Sequence, residues 1–157
     1  MWRRQRDLKG SYDVVIIGGG SHGLATAYYL QKEHGIRDVA ILEARYIGSG
    51  AAGRNTTILR SNYKTPEGAR FYDASVKLYE GLSQELNFNL LFSQCGHLTL
   101  AHSDRAMFVM ANRAEVNRLQ GIDSRLIYPD EIKQLAPAMQ VDNPDMTYPV
   151  LGALYHP

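Results

Sequence analysis

Residues 12–30 read YDVVIIGGGSHGLATAYYL, and this stretch decides the fold. Tyr12 to Ile17 is a short, apolar, β-branched run, the pattern of a buried parallel strand. It runs straight into Gly18-Gly19-Gly20-Ser21-His22-Gly23. The residues that follow, LATAYYLQKEH, set Leu24, Ala27, Tyr28 and Leu30 at helical spacing, and Gly35 stands where a helix C-cap belongs. Val39 to Leu42 is a second buried strand, ending at Glu43. Residues 12–43 therefore make one strand–helix–strand unit, which sterics require to be right-handed.

Gly18, Gly20 and Gly23 match G-x-G-x-x-G, with Glu43 twenty residues beyond Gly23. Between a strand and a helix this pattern marks a dinucleotide site. Gly18 permits the tight turn, Gly20 lets a diphosphate approach the backbone, and Gly23 lets helix and strand pack closely. The amino end of the helix, from Ser21 and His22, offers unpaired N–H groups and a partial positive charge. His22, the fifth residue of the pattern, points away from a phosphate and is neutral to this reading. Glu43, with Ala44 behind it, suits a ribose diol and disfavours a 2′-phosphate, which argues against NADP. FAD and NAD share the fingerprint. The small residues Gly48-Ser49-Gly50-Ala51-Ala52-Gly53 and then Arg54, Asn55, Thr56 and Thr57 tilt the choice to FAD, because they can lay amides and hydroxyls along a long cofactor.

Downstream, Thr65-Pro66 reads as N-cap and first turn of a helix with Phe71, Ser75, Leu78, Tyr79, Leu82 and Leu86 on one side. Two strand-like pieces fall between Leu90 and Ala101, interrupted by Gly96. Ser103 caps a helix through Leu119 that Gly121 ends. Pro129 starts a short helix that Pro137 terminates, and 150–155 resembles a strand. Phe71, Tyr72, Tyr79 and Phe88 are expected in the core. Two parallel strands do not complete a doubly wound sheet, so the chain is expected to be the first part of a larger protein or to borrow surface from a partner.

Composition excludes several classes. The 157 residues are 45% hydrophobic and 21% charged, with a net charge of +1, so no nucleic-acid partner is indicated. Arg3, Arg4, Arg6 and Lys9 form a short basic lead, expected to be frayed, without the apolar stretch of a secretory signal. No run is long and apolar enough for a membrane helix. Cys95 is the only cysteine, which rules out an internal disulfide and fits a reducing, cytoplasmic setting; it is expected to be buried. No metal site is expected: His97 and His102 are five apart in a strand-like region and so face opposite ways, and His34 suits a helix C-terminus. No Ser–His–Asp or paired-carboxylate arrangement is visible, and hydride transfer to a flavin needs none.

Three stretches carry a family resemblance: YDVVIIGGGSHGLATAYYL, ILEARYIGSGAAGRNTTILRSNY and LYEGLSQELNFNLLFSQCGHLTLAHS. Together they closely resemble the beta subunits of heterotetrameric sarcosine oxidases, in the glycine oxidase and D-amino-acid oxidase group of flavoproteins. The resemblance runs from about residue 11 to the last residue and covers well under half of such a subunit. It implies FAD-dependent oxidation of sarcosine to glycine with hydrogen peroxide formation. It also implies alpha, gamma and delta partner subunits, NAD and tetrahydrofolate on the alpha subunit, and an FMN held covalently by a histidine downstream of residue 157; His156 lies too early to be that residue. By resemblance, Gly18, Gly20, Gly23 and Glu43 hold FAD, Thr56 and Thr57 run beside the flavin, and Arg60 meets the substrate carboxylate with Tyr63 nearby. A plain structural reading of Arg60 is a surface or capping arginine, and of Tyr63 partly buried packing. Dimethylglycine and glycine oxidases are the alternative activities, and a truncated, non-catalytic piece the alternative of another kind.

The expected architecture is thus α/β: a Rossmann-like FAD-binding βαβ unit and flavin-side loop over 12–65, preceded by the basic lead over 1–11. The first part of a mixed α+β substrate domain follows over 66–157, so the fold is incomplete.

Overall fold

Hydrogen bonding between two short apolar runs builds the first sheet: β1 (Val14–Ile17) and β2 (Val39–Leu42) pair in parallel, Val14 opposite Val39 and Ile17 opposite Leu42. The computed structural model describes residues 8–141, 143 and 145–157. Arg3, Arg4 and Arg6 of the basic lead lie outside the described residues, while Lys9 is anchored, its Nζ 2.6 Å from Asp38 Oδ1. Between the strands runs α1 (Ser21–His34), which packs on both. It ends at Gly35 in the left-handed conformation: the Gly35 N–H donates to the Gln31 carbonyl and the Ile36 N–H to that of Leu30, satisfying carbonyls the last turn leaves open. Lys32 and His34 place basic groups where the helix dipole is negative.

The strands are covered less fully than their composition implies. Val14 and Ile16 are half-buried, but Val15, Ile17 (89% exposed) and Leu42 face outward. One helix over two strands shields one face of a sheet and leaves the alternate side chains bare.

Compact packing divides the chain between Thr57 and Ile58. The sequence reading drew its division after residue 65, but residues 58–65 carry Ser61 and Asn62, both buried through bonds to later residues. In this second unit, α2 (Pro66–Glu85) starts at Thr65, whose Oγ1 accepts the Gly68 N–H at 3.2 Å. Then come β3 (His97–Ala101), α3 (Asp104–Leu119) capped by Ser103, β4 (Arg125–Ile127), α4 (Pro129–Leu135) opened by its proline, and β5 (Gly152–His156). The three strands form an antiparallel sheet in the order β3-β5-β4, with Leu98 opposite Tyr155 and Leu126 opposite Leu154. Ile127, Ile132, Val150 and Ala153 form its core, with Leu98, Leu100, Met139, Val141 and Tyr155 packed against them.

Three expectations need correction. Only His97–Ala101 is a strand; residues 90–96 are irregular, because Gly96 takes a positive φ (78°) just before β3. Cys95 is exposed, since it sits in that irregular approach rather than in a strand facing the core. Phe71 and Phe88 are also outside the core, at 69% and 68% exposure, and Tyr72 is exposed; of the four aromatics only Tyr79 is partly covered. Helical spacing gave them a common side but no partner to bury it. Among the described residues no helix is long and apolar enough to cross a membrane, and no three His, Cys, Asp or Glu side chains gather as metal ligands.

Candidate functional site

In the first unit the Gly18 N–H closes the turn onto the Leu42 carbonyl (2.7 Å), and Gly18 turns at φ 101°, a conformation that excludes side chains. The chain then enters α1 through Gly20, an extended N-cap residue with no capping side chain; no acid follows in the first turn. The leading N–H groups of α1 are thus left without a side-chain partner. The two glycine demands differ in origin. A Cβ on Gly23 would overlap the Gly18 carbonyl oxygen and press on Ile16 Cγ2 at 3.3 Å, so helix–strand packing requires glycine there. Among the described residues a Cβ on Gly20 would find nothing nearer than Ala52 Cβ at 3.9 Å, so none of their atoms forbids one.

Glu43 is folded back onto this turn. Its Oε2 accepts the Gly19 N–H at 2.7 Å, and its Oε1 accepts the Arg45 N–H at 2.9 Å and the Ser49 hydroxyl at 3.3 Å. The Gly19 amide, followed by that of Arg45, holds the carboxyl below its usual pKa. The Ser49 hydroxyl and the Ala44 amide add to the same effect.

A second turn lies beside the first. Gly48 also has a positive φ (75°), Gly50 is the N-cap of a 3-10 turn (Ala51–Gly53), and a Cβ on Gly53 would strike the Gly48 carbonyl oxygen. Gly48–Gly53 therefore repeats both the spacing and the packing logic of Gly18–Gly23. The Gly48 N–H donates to the Gly19 carbonyl at 2.9 Å and ties the two turns together. Sequence reasoning saw only small residues here; the repeated G-x-G-x-x-G was present, but no strand leads into it. Ala44 before it and Arg54 after it are exposed. Asn55 bridges backward and forward, its Nδ2 donating to the Ala52 carbonyl (2.6 Å) and its Oδ1 accepting the Thr57 N–H (2.7 Å). That bridge holds exposed Thr57 at φ 54°, an outlying conformation for a β-branched residue.

In the second unit Arg60 lies over the Tyr63 ring at 5.1 Å, and Tyr63 stacks on Tyr72 at 3.9 Å and 14°. The Tyr63 N–H returns to the Ser61 carbonyl at 2.7 Å, a tight turn that brings the Tyr63 ring beneath Arg60. No carboxylate pairs with Arg60 among the described residues. Ser61 and Asn62 are held from behind. His156 Nδ1 faces the Asp123 carbonyl at 2.6 Å and must carry the proton there, so Nε2 accepts the Ser61 hydroxyl at 3.1 Å. The Arg113 guanidinium donates to the Asn62 carbonyl. Neither Arg113 nor His156 was singled out for this role; each lies far along the chain from residue 60, and no local pattern marks it. The glycine turns and Glu43 thus gather in one unit, while Arg60 and Tyr63 gather in the other.

A family model described as FAD dependent oxidoreductase matches residues 13–157. Among curated relatives, the sarcosine oxidase subunit beta of Rhizobium meliloti (strain 1021) is 51% identical over 96% of this chain. That of Arthrobacter sp is 48% identical over 95%. The chain spans 36% of the length of each of these relatives. Among solved structures, L-proline dehydrogenase from P. horikoshii superposes with a TM-score of 0.83 at 29% identity, covering 96% of this chain and 37% of that one.

Proposed function

The chain belongs to the FAD dependent oxidoreductase family, and on that premise we propose that it carries the diphosphate-and-ribose end of the FAD site in a subunit that oxidises sarcosine. The observation that carries the reading is the open amino end of α1: an uncapped first turn, an N-cap glycine whose missing Cβ no protein atom requires, and an acid turned onto the same loop. The residues fit the group. The leading amides of α1, at Ser21, His22 and Gly23, would hold the diphosphate, and Glu43 the ribose, with Ala44 beside it. Arg54, Asn55, Thr56 and Thr57 line the cofactor's further course. Bound FAD supplies the two-electron acceptor for oxidation of the amine carbon.

What the chain's own residues do is bind and orient. Arg60 presents an unpaired planar fork that matches a carboxylate in two hydrogen bonds. The Tyr63–Tyr72 stack fixes the plane of that fork before the substrate arrives, so less freedom is lost on binding. The substrate class, an N-methyl amino acid, is supported by the names of relatives at about half identity. The same names support a beta-type role in a multi-subunit enzyme; alpha, gamma and delta partners, covalent FMN on this subunit, and NAD and tetrahydrofolate on the alpha subunit are proposed from the family resemblance of the sequence alone. A cytoplasmic setting is supported by the single free cysteine.

The test is an oxidase assay on the full-length protein with its partner subunits, comparing sarcosine, dimethylglycine and glycine, each with and without tetrahydrofolate. Hydrogen peroxide release fastest with sarcosine is expected. Equal or faster turnover of either rival amine overturns the substrate assignment, and loss of flavin absorbance from the purified protein overturns the cofactor assignment.

A further inference from the structure

We infer that Arg60, Asn62, His97 and Arg113 together form a binding site for a small carboxylate, in which Arg113 and Asn62 are anion ligands beyond Arg60. The inference rests on the reading of Arg60 given above and names the rest of its site.

Four side chains converge around the 60–62 segment. Arg113, from α3, reaches the Asn62 carbonyl with one guanidinium nitrogen. His97 lies opposite His156 in the β3–β5 ladder, and His156 in turn grips Ser61. The Asn62 side chain is fully buried, yet among the described residues neither its Nδ2 nor its Oδ1 has a hydrogen-bond partner. Arg113 Nε and His97 Nδ1 are likewise buried and unpartnered. Buried donors are almost always satisfied, and each one left open is costly. Three of these atoms, Asn62 Nδ2, Arg113 Nε and His97 Nδ1, can donate to an anion, and together around one short segment they mark a place that expects a ligand.

The charge points the same way. Neither Arg60 nor Arg113 forms an ion pair among the described residues. Burial, and next the nearby Arg60, push the Arg113 guanidinium below its ordinary pKa; burial, then Arg60, His156 and Arg113, do the same to His97. A neutral imidazole at His97 has one N–H to offer. Two guanidiniums held near each other without an acid are stabilised by an anion, and a planar carboxylate matches their forks better than a spherical ion does.

The experiment uses the full-length protein and the thermal midpoint Tm, which requires neither flavin nor turnover. Acetate is titrated against chloride at constant ionic strength, with inorganic phosphate as a third arm. Acetate is expected to raise Tm saturably, well beyond chloride or phosphate. Arg113→Met should weaken the half-saturating acetate concentration at least about tenfold, and Arg113→Lys should restore part of it. Asn62→Asp places an acid inside the cluster, and should raise Tm without acetate and abolish the acetate response. The inference is overturned if acetate acts no differently from chloride or phosphate, or if Arg113→Met responds as the parent does. It is overturned too if Asn62→Asp lowers Tm and keeps the acetate response. Because sarcosine turnover is read separately, a protein that binds acetate here but oxidises no amine would overturn the proposed function and leave this site standing.

Discussion

Alanine at Gly20 and alanine at Gly23 should have opposite consequences. At Gly20 the backbone is extended (φ −86°, ψ −175°), which alanine adopts freely, and the new Cβ would meet no atom closer than 3.9 Å. Replacing glycine at a compatible position stabilises by about 0.4–1 kcal/mol through the unfolded chain. Losing glycine as N-cap costs a similar amount, roughly 0.5–1 kcal/mol, so the Gly20→Ala protein should melt close to the parent. At Gly23 the Cβ would fall inside the Gly18 carbonyl oxygen and lie 3.2 Å from its carbon, so α1 must draw away from β1 by about 1 Å. Overpacking of this kind costs about 1–3 kcal/mol, or roughly 2–12 °C in Tm for a protein of this size. FAD titration of the apoprotein then separates the two. Gly20→Ala should lose FAD affinity with its stability intact, because the methyl occupies space the diphosphate needs; Gly23→Ala should lose both together. FAD binding by Gly20→Ala within about a factor of two of the parent would refute the idea that the cofactor lies against that backbone. A large fall in apoprotein Tm for Gly20→Ala would refute the claim that the fold does not require glycine there.

The remaining predictions concern single side chains. Glu43 is held below its usual pKa chiefly by the Gly19 amide, so its contribution to stability is present above about pH 4.5 and is lost as pH falls through the lower folded-state value. Glu43→Gln should flatten that acid limb in a series of melts from neutral to acid pH and should weaken FAD retention; an unchanged acid limb would remove the carboxylate from the turn. Arg60→Met should raise the sarcosine KM by about 10- to 100-fold, the worth of a charge-assisted hydrogen-bond pair at roughly 1.5–3 kcal/mol, while flavin content stays constant. A KM within twofold of the parent would return Arg60 to a structural role. Thr57→Asn, which suits a left-handed backbone, should raise stability by about 1 kcal/mol in urea unfolding, whereas a fall would mean that the threonine methyl is packed rather than strained.

The candidate site was legible in unequal parts. The Gly18–Gly23 turn and Glu43 were readable because the residues that make them are consecutive or separated by one helix. A strand, a turn and an amphipathic run each have a local signature. The caps at Thr65 and Ser103 and the stop at Gly35 were readable for the same reason. The 48–53 turn was missed because its pattern follows a bend rather than a strand, and its likeness to the first turn appears only in backbone angles and close approach. Cys95, Phe71 and Phe88 were misjudged because hydrophobic spacing reports which residues share a side, and burial depends on whether another element covers it.

By itself the sequence determined the strand–turn–helix punctuation at Gly18–Gly23, the acid at the end of β2, and the family whose stretches it shares, all of which depend on residues close together along the chain. Only the tertiary structure decided that a Cβ at Gly20 would meet no close atom among the described residues while one at Gly23 would, and that Glu43 bends onto the Gly19 amide. It alone brought Arg113, His97 and His156 around residues 60–62. That last gathering depends on the antiparallel return of β5 beside β3 and on α3 packing against that sheet. Contacts between residues some 50 to 95 positions apart leave no periodicity in the chain, because what creates them is the burial of one surface on another.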